Sequence, residues 1–149
     1  MNGLLKTSGD FTDLVLRVML AVVFFPHGAQ KALGWFGGYG LHATLGFFTG
    51  KEGLPFVLAL LVIAAEFLGS LGLFFGFLTR LAAFGIFCVM AGAIATVHYK
   101  VGFFMNWAGK LPPGMEGFEF HLLAMALAFS VMVRGAGPLS IDRALSGKR

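Results

Sequence analysis

From Leu54 to Leu78 the chain carries a single charged residue, Glu66. A stretch that long and that apolar has few fates. About 20 residues of helix cross the hydrocarbon core of a bilayer, and only a helix or a closed barrel satisfies its backbone there. Composition extends the argument to the whole chain. Of 149 residues, 58% are hydrophobic and 12% charged, against about 45–50% and about 25% for a soluble domain. That excludes a soluble single-domain enzyme and a disordered chain. The abundance of Phe and Gly (18 and 22 residues) suits helices that face lipid and approach one another closely.

Four spans are predicted: Phe11 to Ala32, Pro55 to Leu78, Leu81 to Tyr99, and Phe118 to Val133. The fold class is therefore all-α, a membrane-embedded four-helix bundle in one domain. Asp10 or Thr12 is placed to cap the first helix. Pro26 is expected to kink or loosen it. The run is too long for a signal-peptide core and no A-x-A-like site follows, so it is expected to stay in the protein. Gly34-Trp35-Phe36-Gly37-Gly38-Tyr39-Gly40 breaks the helix into a glycine-rich first extracytoplasmic loop. Leu41 to Phe48 is too short to span and reads as a short interfacial or re-entrant helix.

Pro55 suits a helix start, and Thr79-Arg80 reads as a tight hairpin turn between the second and third spans. Cys88, Gly92 and Thr96 put small residues four apart on the third helix, a predicted close-packing seam. The loop from Lys100 to Gly117 carries Pro112-Pro113-Gly114. Ser140 is placed to cap a short tail helix. Of the 11 Lys and Arg residues, Lys6, Arg17, Arg80, Arg134, Arg143, Lys148 and Arg149 fall on one side, and Lys31, Lys51, Lys100 and Lys110 on the other. The positive-inside rule then places both termini in the cytoplasm. In a membrane protein that charge balance orients the chain. It does not point to nucleic acid.

Ionisable side chains inside a span cost about 2.5–3.5 kcal/mol each on insertion scales and mark function by default. Glu66 falls near mid-span. His27 and Lys31 stand one turn apart on the first helix and share a face. With Glu66 they form an acid, base and cation set. Arg17 reads as an anchor able to pair with Asp13, and Arg80 as a structural polar residue at the hairpin. His98, Glu119 and His121 cluster at the extracytoplasmic ends of the last two spans, and Glu119 and His121 point about 200° apart on a helix. His42 is expected to be exposed. Lys31–Glu119 is the easier ion pair by depth, and His27–Glu66 needs the kink or a water. The lone Cys88 rules out an internal disulfide and a Cys-ligated metal within one chain. No histidines have metal-type spacing, so no metal is expected. Haem between His27 and His98 has little support.

Read in order, the landmarks resemble the DoxX family of small four-helix membrane proteins. They are Arg17, Phe25-Pro26-His27-Gly28 with Lys31, the glycine-rich loop, Leu54-Pro55 and Glu66-Phe67-Leu68-Gly69. Gly76-Phe77-Leu78-Thr79-Arg80, Gly102-Phe103-Phe104, Gly117-Phe118-Glu119-Phe120 and Gly135-Ala136-Gly137-Pro138-Leu139-Ser140-Ile141-Asp142 complete the set. The resemblance implies a bacterial inner-membrane subunit of a redox-linked complex, working with a membrane or peripheral redox protein. Some relatives are linked to quinone-coupled chemistry, and related folds include assembly factors that are not enzymes. No cofactor is encoded by motif. A quinone held in the bundle by His27, Lys31 and Glu66 is one expectation. The other is a non-catalytic membrane scaffold or assembly factor, in which Glu66, Lys31 and Arg80 are fasteners. A transporter is a third reading, in which a bundle this small needs a homo-oligomer to form a path.

Overall fold

The computed structural model describes residues 3–112 and 114–147, so Pro113, Lys148 and Arg149 of the sequence reading lie outside the described residues. The helices are α1 (Phe11–Leu33), α2 (Gly40–Gly46), α3 (Phe56–Phe75), α4 (Thr79–Thr96), α5 (Glu119–Arg134) and α6 (Ile141–Leu145). A π-helical turn, Phe47–Lys51, follows α2, and a 3-10 turn, His98–Lys100, follows α4. No strand occurs among the described residues. Helices α1, α3, α4 and α5 form the bundle, in which α1 packs on α3 and α5, and α4 on α3 and α5.

Local chemistry explains the boundaries. The Asp10 carboxylate accepts from the Thr12 amide at 2.9 Å and caps α1. The helix runs through Pro26 to Gly34, whose φ of 75° suits a glycine terminator. Pro55 stands just outside α3 as its N-cap rather than within the first turn. Ser140 caps α6, accepting from the Arg143 amide.

Helices α1, α3 and α4 are long and apolar enough to cross a membrane. The fourth predicted span keeps the short length the sequence implied, displaced by one residue. Helix α5 has 16 residues, about 24 Å at 1.5 Å per residue, against a hydrocarbon core of about 30 Å. Glycine ends it at Gly135, and its first residue, Glu119, is bound into the preceding loop.

The hairpin turn is also displaced. It comprises Gly76, Phe77 and Leu78, and Thr79 and Arg80 already belong to α4. Leu78 takes a left-handed φ of 48°. The Asp142 carboxylate holds it there, accepting from the amides of Leu78 (2.8 Å) and Thr79 (2.9 Å) and so capping α4 from a helix more than 60 residues away.

Small residues set the spacing of α3 and α4. Near the turn the two helices touch through Gly69, Gly72 and Ala82, and a Cβ added at Gly85 would lie 3.1 Å from that of Ala65. Two turns on, nothing lies within 4 Å of a Cβ built at Gly92. The helices have splayed. The expected seam of Cys88, Gly92 and Thr96 is therefore not buried against a helix among the described residues, and all three residues are exposed. The face of α4 that packs carries Ala83, Ile86 and Met90, which join Leu20, Phe24 and Ala128 in the core.

Candidate functional site

The splay of α3 from α4 leaves a cleft of about 1480 Å³. It exceeds the about 300–1,000 Å³ of ordinary small-molecule pockets. Its lining is mostly apolar, with Leu58, Leu61 and Val62 of α3 facing Phe84, Cys88 and Gly92 of α4. Leu58, Leu61, Cys88 and Gly92 are also exposed, so the cleft opens sideways between the two helices. His27, Lys31, Glu66, His98 and His121 line it as well.

Backbone contact between α1 and α3 builds the charged part. A Cβ at Gly28 would lie 2.6 Å from the carbonyl carbon of Glu66 and the nitrogen of Phe67. Only glycine admits that approach. Lys31, one turn along the same face, then reaches across α3, and its Nζ donates to Glu66 Oε2 at 2.5 Å. The Glu66 side chain is 6% exposed and that of Lys31 25%. The pair therefore forms part of the cleft wall with its cationic end the more open. Two desolvated charges so placed must stay together, because either alone is costly.

The expected Lys31–Glu119 pair does not form. Glu119 instead accepts through Oε1 from the Met105 amide (2.8 Å) and Trp107 Nε1 (2.9 Å). The loop satisfies Glu119, and Lys31 is taken by Glu66. Glu116, which the sequence reading passed over, accepts from the Asn106 amide at 2.7 Å. The two carboxylates fold the Lys100–Gly117 loop over the end of the bundle. An acidic residue standing between a proline-broken loop and a helix start is the signal that would have found Glu116.

His27 is exposed on the cleft side of α1 and makes no hydrogen bond to Glu66 among the described residues; Lys31 occupies that carboxylate. His98 and His121 come together, ring centroids 4.0 Å apart. As the helical angle requires, His121 turns inward while Glu119 turns to the loop. His42 is exposed and sits on α2.

Arg17 and Arg80 lie at the other end. Arg17 is 1% exposed and does not pair with Asp13. It donates to the carbonyls of Leu73, Phe74, Ala136 and Leu139 at 2.6–2.7 Å, and to that of Pro138 at 3.4 Å. The guanidinium thus caps the end of α3 and ties down the segment before α6. Asp13 is left to Arg134, which also binds Asp10 at 2.7 Å. Arg80 donates to the carbonyls of Lys6 (3.0 Å) and Met132 (2.5 Å). Both arginines fasten the bundle.

Residues 12–99 match the DoxX family, and that stretch holds Arg17, His27, Gly28, Lys31, Glu66 and the hairpin. This chain belongs to the DoxX family. It is 30% identical over 138 residues to the "Putative oxidoreductase CatD" of Bacillus subtilis (strain 168), covering 93% of this chain and 90% of that one. It is 34% identical over 145 residues to an "Uncharacterized protein" of Haemophilus influenzae (strain ATCC 51907 / DSM 11121 / KW20 / Rd), covering 95% and 96%. No solved structure matches. The DoxX match ends at Tyr99, so Glu116, Glu119 and His121 fall outside it, although both relatives align over nearly the whole chain.

Proposed function

We propose that this DoxX-family membrane protein is a subunit of a redox-linked complex and binds a quinone-type molecule in the cleft between α3 and α4. One observation carries the reading: a Lys31–Glu66 pair, its carboxylate buried and its ammonium partly open, is set into the wall of a mostly apolar cleft that opens sideways. A quinone needs an apolar slot for its tail and hydrogen-bond donors at its carbonyls. Lys31 gives one of its three N–H groups to Glu66 and keeps others for an acceptor. Reduction of a quinone to its quinol consumes two electrons and two protons. The electrons come from a partner redox protein, and the polar groups of the cleft supply donors on the proton side. The name of the Bacillus subtilis relative supports an oxidoreductase setting. The charge distribution supports cytoplasmic termini, and the bacterial relatives support a bacterial inner membrane.

Trp107 lines the cleft and Trp35 does not. In a Trp35→Phe background, titration of nanodisc-embedded protein with a short-tailed quinone should quench Trp107 fluorescence saturably. Linear, non-saturating quenching, together with no quinone in the mass spectrum of the purified protein, overturns the reading.

A second reading, the non-catalytic scaffold, is favoured by the fact that Lys31 and Glu66 satisfy each other within the chain. Glu66→Gln separates the two. Loss of cellular function with fold and partner capture intact excludes the scaffold; full retention of function excludes the redox role of the pair.

A further inference from the structure

The cleft has two sides, α1 with α3 and α4 with α5, and the Lys31–Glu66 pair belongs to the first. On the second stands His121, 7% exposed and packed against the His98 ring. Its Nδ1 is buried with no hydrogen-bond partner among the described residues, and its Nε2 also takes none among them. The neighbouring His98 is fixed, with Nδ1 2.6 Å from the carbonyl oxygen of Glu116. That contact puts a proton on His98 Nδ1, since a carbonyl only accepts. A neutral imidazole carries one N–H, and an N–H sealed away from every acceptor costs about 1–3 kcal/mol. The proton of His121 therefore belongs on Nε2, with the shielded Nδ1 bare, in a residue that lines the cleft.

We infer that His121 is a second ligand-binding residue, donating from Nε2 to the far edge of the molecule whose near edge meets Lys31. The ligand class this selects is a flat ring with carbonyl oxygens on opposite edges. A ring with one carbonyl satisfies only one side of the cleft. The inference rests on the quinone reading and sharpens it: His98, held by the loop carbonyl of Glu116, positions His121, so the outer loop bears on ligand choice.

The test compares 2,3-dimethyl-1,4-naphthoquinone with its one-carbonyl tetralone analogue, by Trp107 quenching and competition in the full-length Trp35→Phe protein in nanodiscs. The wild-type cleft should prefer the quinone by about tenfold, the worth of one good hydrogen bond at about 1.4 kcal/mol. His121→Met should remove that preference by weakening quinone alone, and His121→Gln, which keeps an N–H, should restore most of it. Equal binding of both rings by the wild-type cleft overturns the inference, as does an unchanged preference in a His121→Met protein of unaltered melting temperature. The wild-type comparison decides even if the Met variant fails to fold. Binding of neither ring defeats the quinone reading itself, whereas binding of both equally defeats only the role of His121.

Discussion

Gly28 and Glu66 meet backbone to backbone, so close that a methyl group on residue 28 would lie 2.6 Å from the carbonyl carbon of Glu66. This contact sets the distance between α1 and α3 and brings Lys31 within reach of Glu66. The pair is thus a consequence of a glycine one turn away.

Gly28→Ala should push α1 off α3. Overpacking of this kind costs about 1–3 kcal/mol, and the displacement should lengthen the Lys31–Glu66 bond. A lowered melting temperature in detergent is expected. A melting temperature equal to wild type means that the backbones can part without loss.

Lys31→Met leaves Glu66 buried without its cation, whereas Glu66→Gln leaves a lysine that still reaches the open cleft. Removing one member of a buried pair costs about 3–5 kcal/mol, so Lys31→Met should fall in that range and Glu66→Gln below it. The double variant should lose less than the sum. Strict additivity in denaturation experiments denies that the two are coupled.

Glu119→Gln should be mild, because an amide oxygen still accepts from Met105 and Trp107. Loss of the charge-assisted part is worth about 1 kcal/mol. The emission of Trp107 should shift as its indole bond weakens. Combined with Lys31→Met, the losses should add, since Glu119 and Lys31 share no bond. Strong coupling between them would restore the pairing that depth alone favours.

Arg17 satisfies five carbonyls with one guanidinium, so Arg17→Met should be the most damaging single change at that end of the bundle, costing more than about 3 kcal/mol at about 1–3 kcal/mol per orphaned buried group. Arg17→Lys should rescue little, having three donors and no fork geometry. Proteolysis of the chain after Gly135 reports the outcome; a Lys variant as resistant as wild type contradicts it.

Asp10 gives an acid-range test. Its hydrogen bond from the Thr12 backbone, first, and its contacts with Arg134 hold its carboxyl below the ordinary aspartate value. A depressed carboxyl contributes stability above its unfolded value and loses it as pH falls through the folded one. Asp10→Ala should therefore be less stable than wild type at neutral pH, with the gap closing below about pH 4. Melting curves across that range should converge. A constant gap assigns the effect to something other than ionisation.

The spans of α1, α3 and α4, the caps at Asp10 and Ser140, and the candidacy of Glu66, His27 and Lys31 were all legible along the chain. Each depends on residues within a turn or two, or on the cost of a charge in hydrocarbon. The choice of partners was not. Lys31 lies nearer in depth to Glu119, yet loop amides claim Glu119, and Gly28 brings Glu66 to Lys31. Arg17 has Asp13 one turn away, yet it answers carbonyls from α3 and the tail, leaving Asp13 to Arg134. The stripe of Cys88, Gly92 and Thr96 is a packing seam by pattern, yet α3 has already turned away from α4 and the stripe lines a cleft. Residue type and spacing determine what a side chain needs. Only the packing of distant helices decides which of several adequate partners is near enough to supply it.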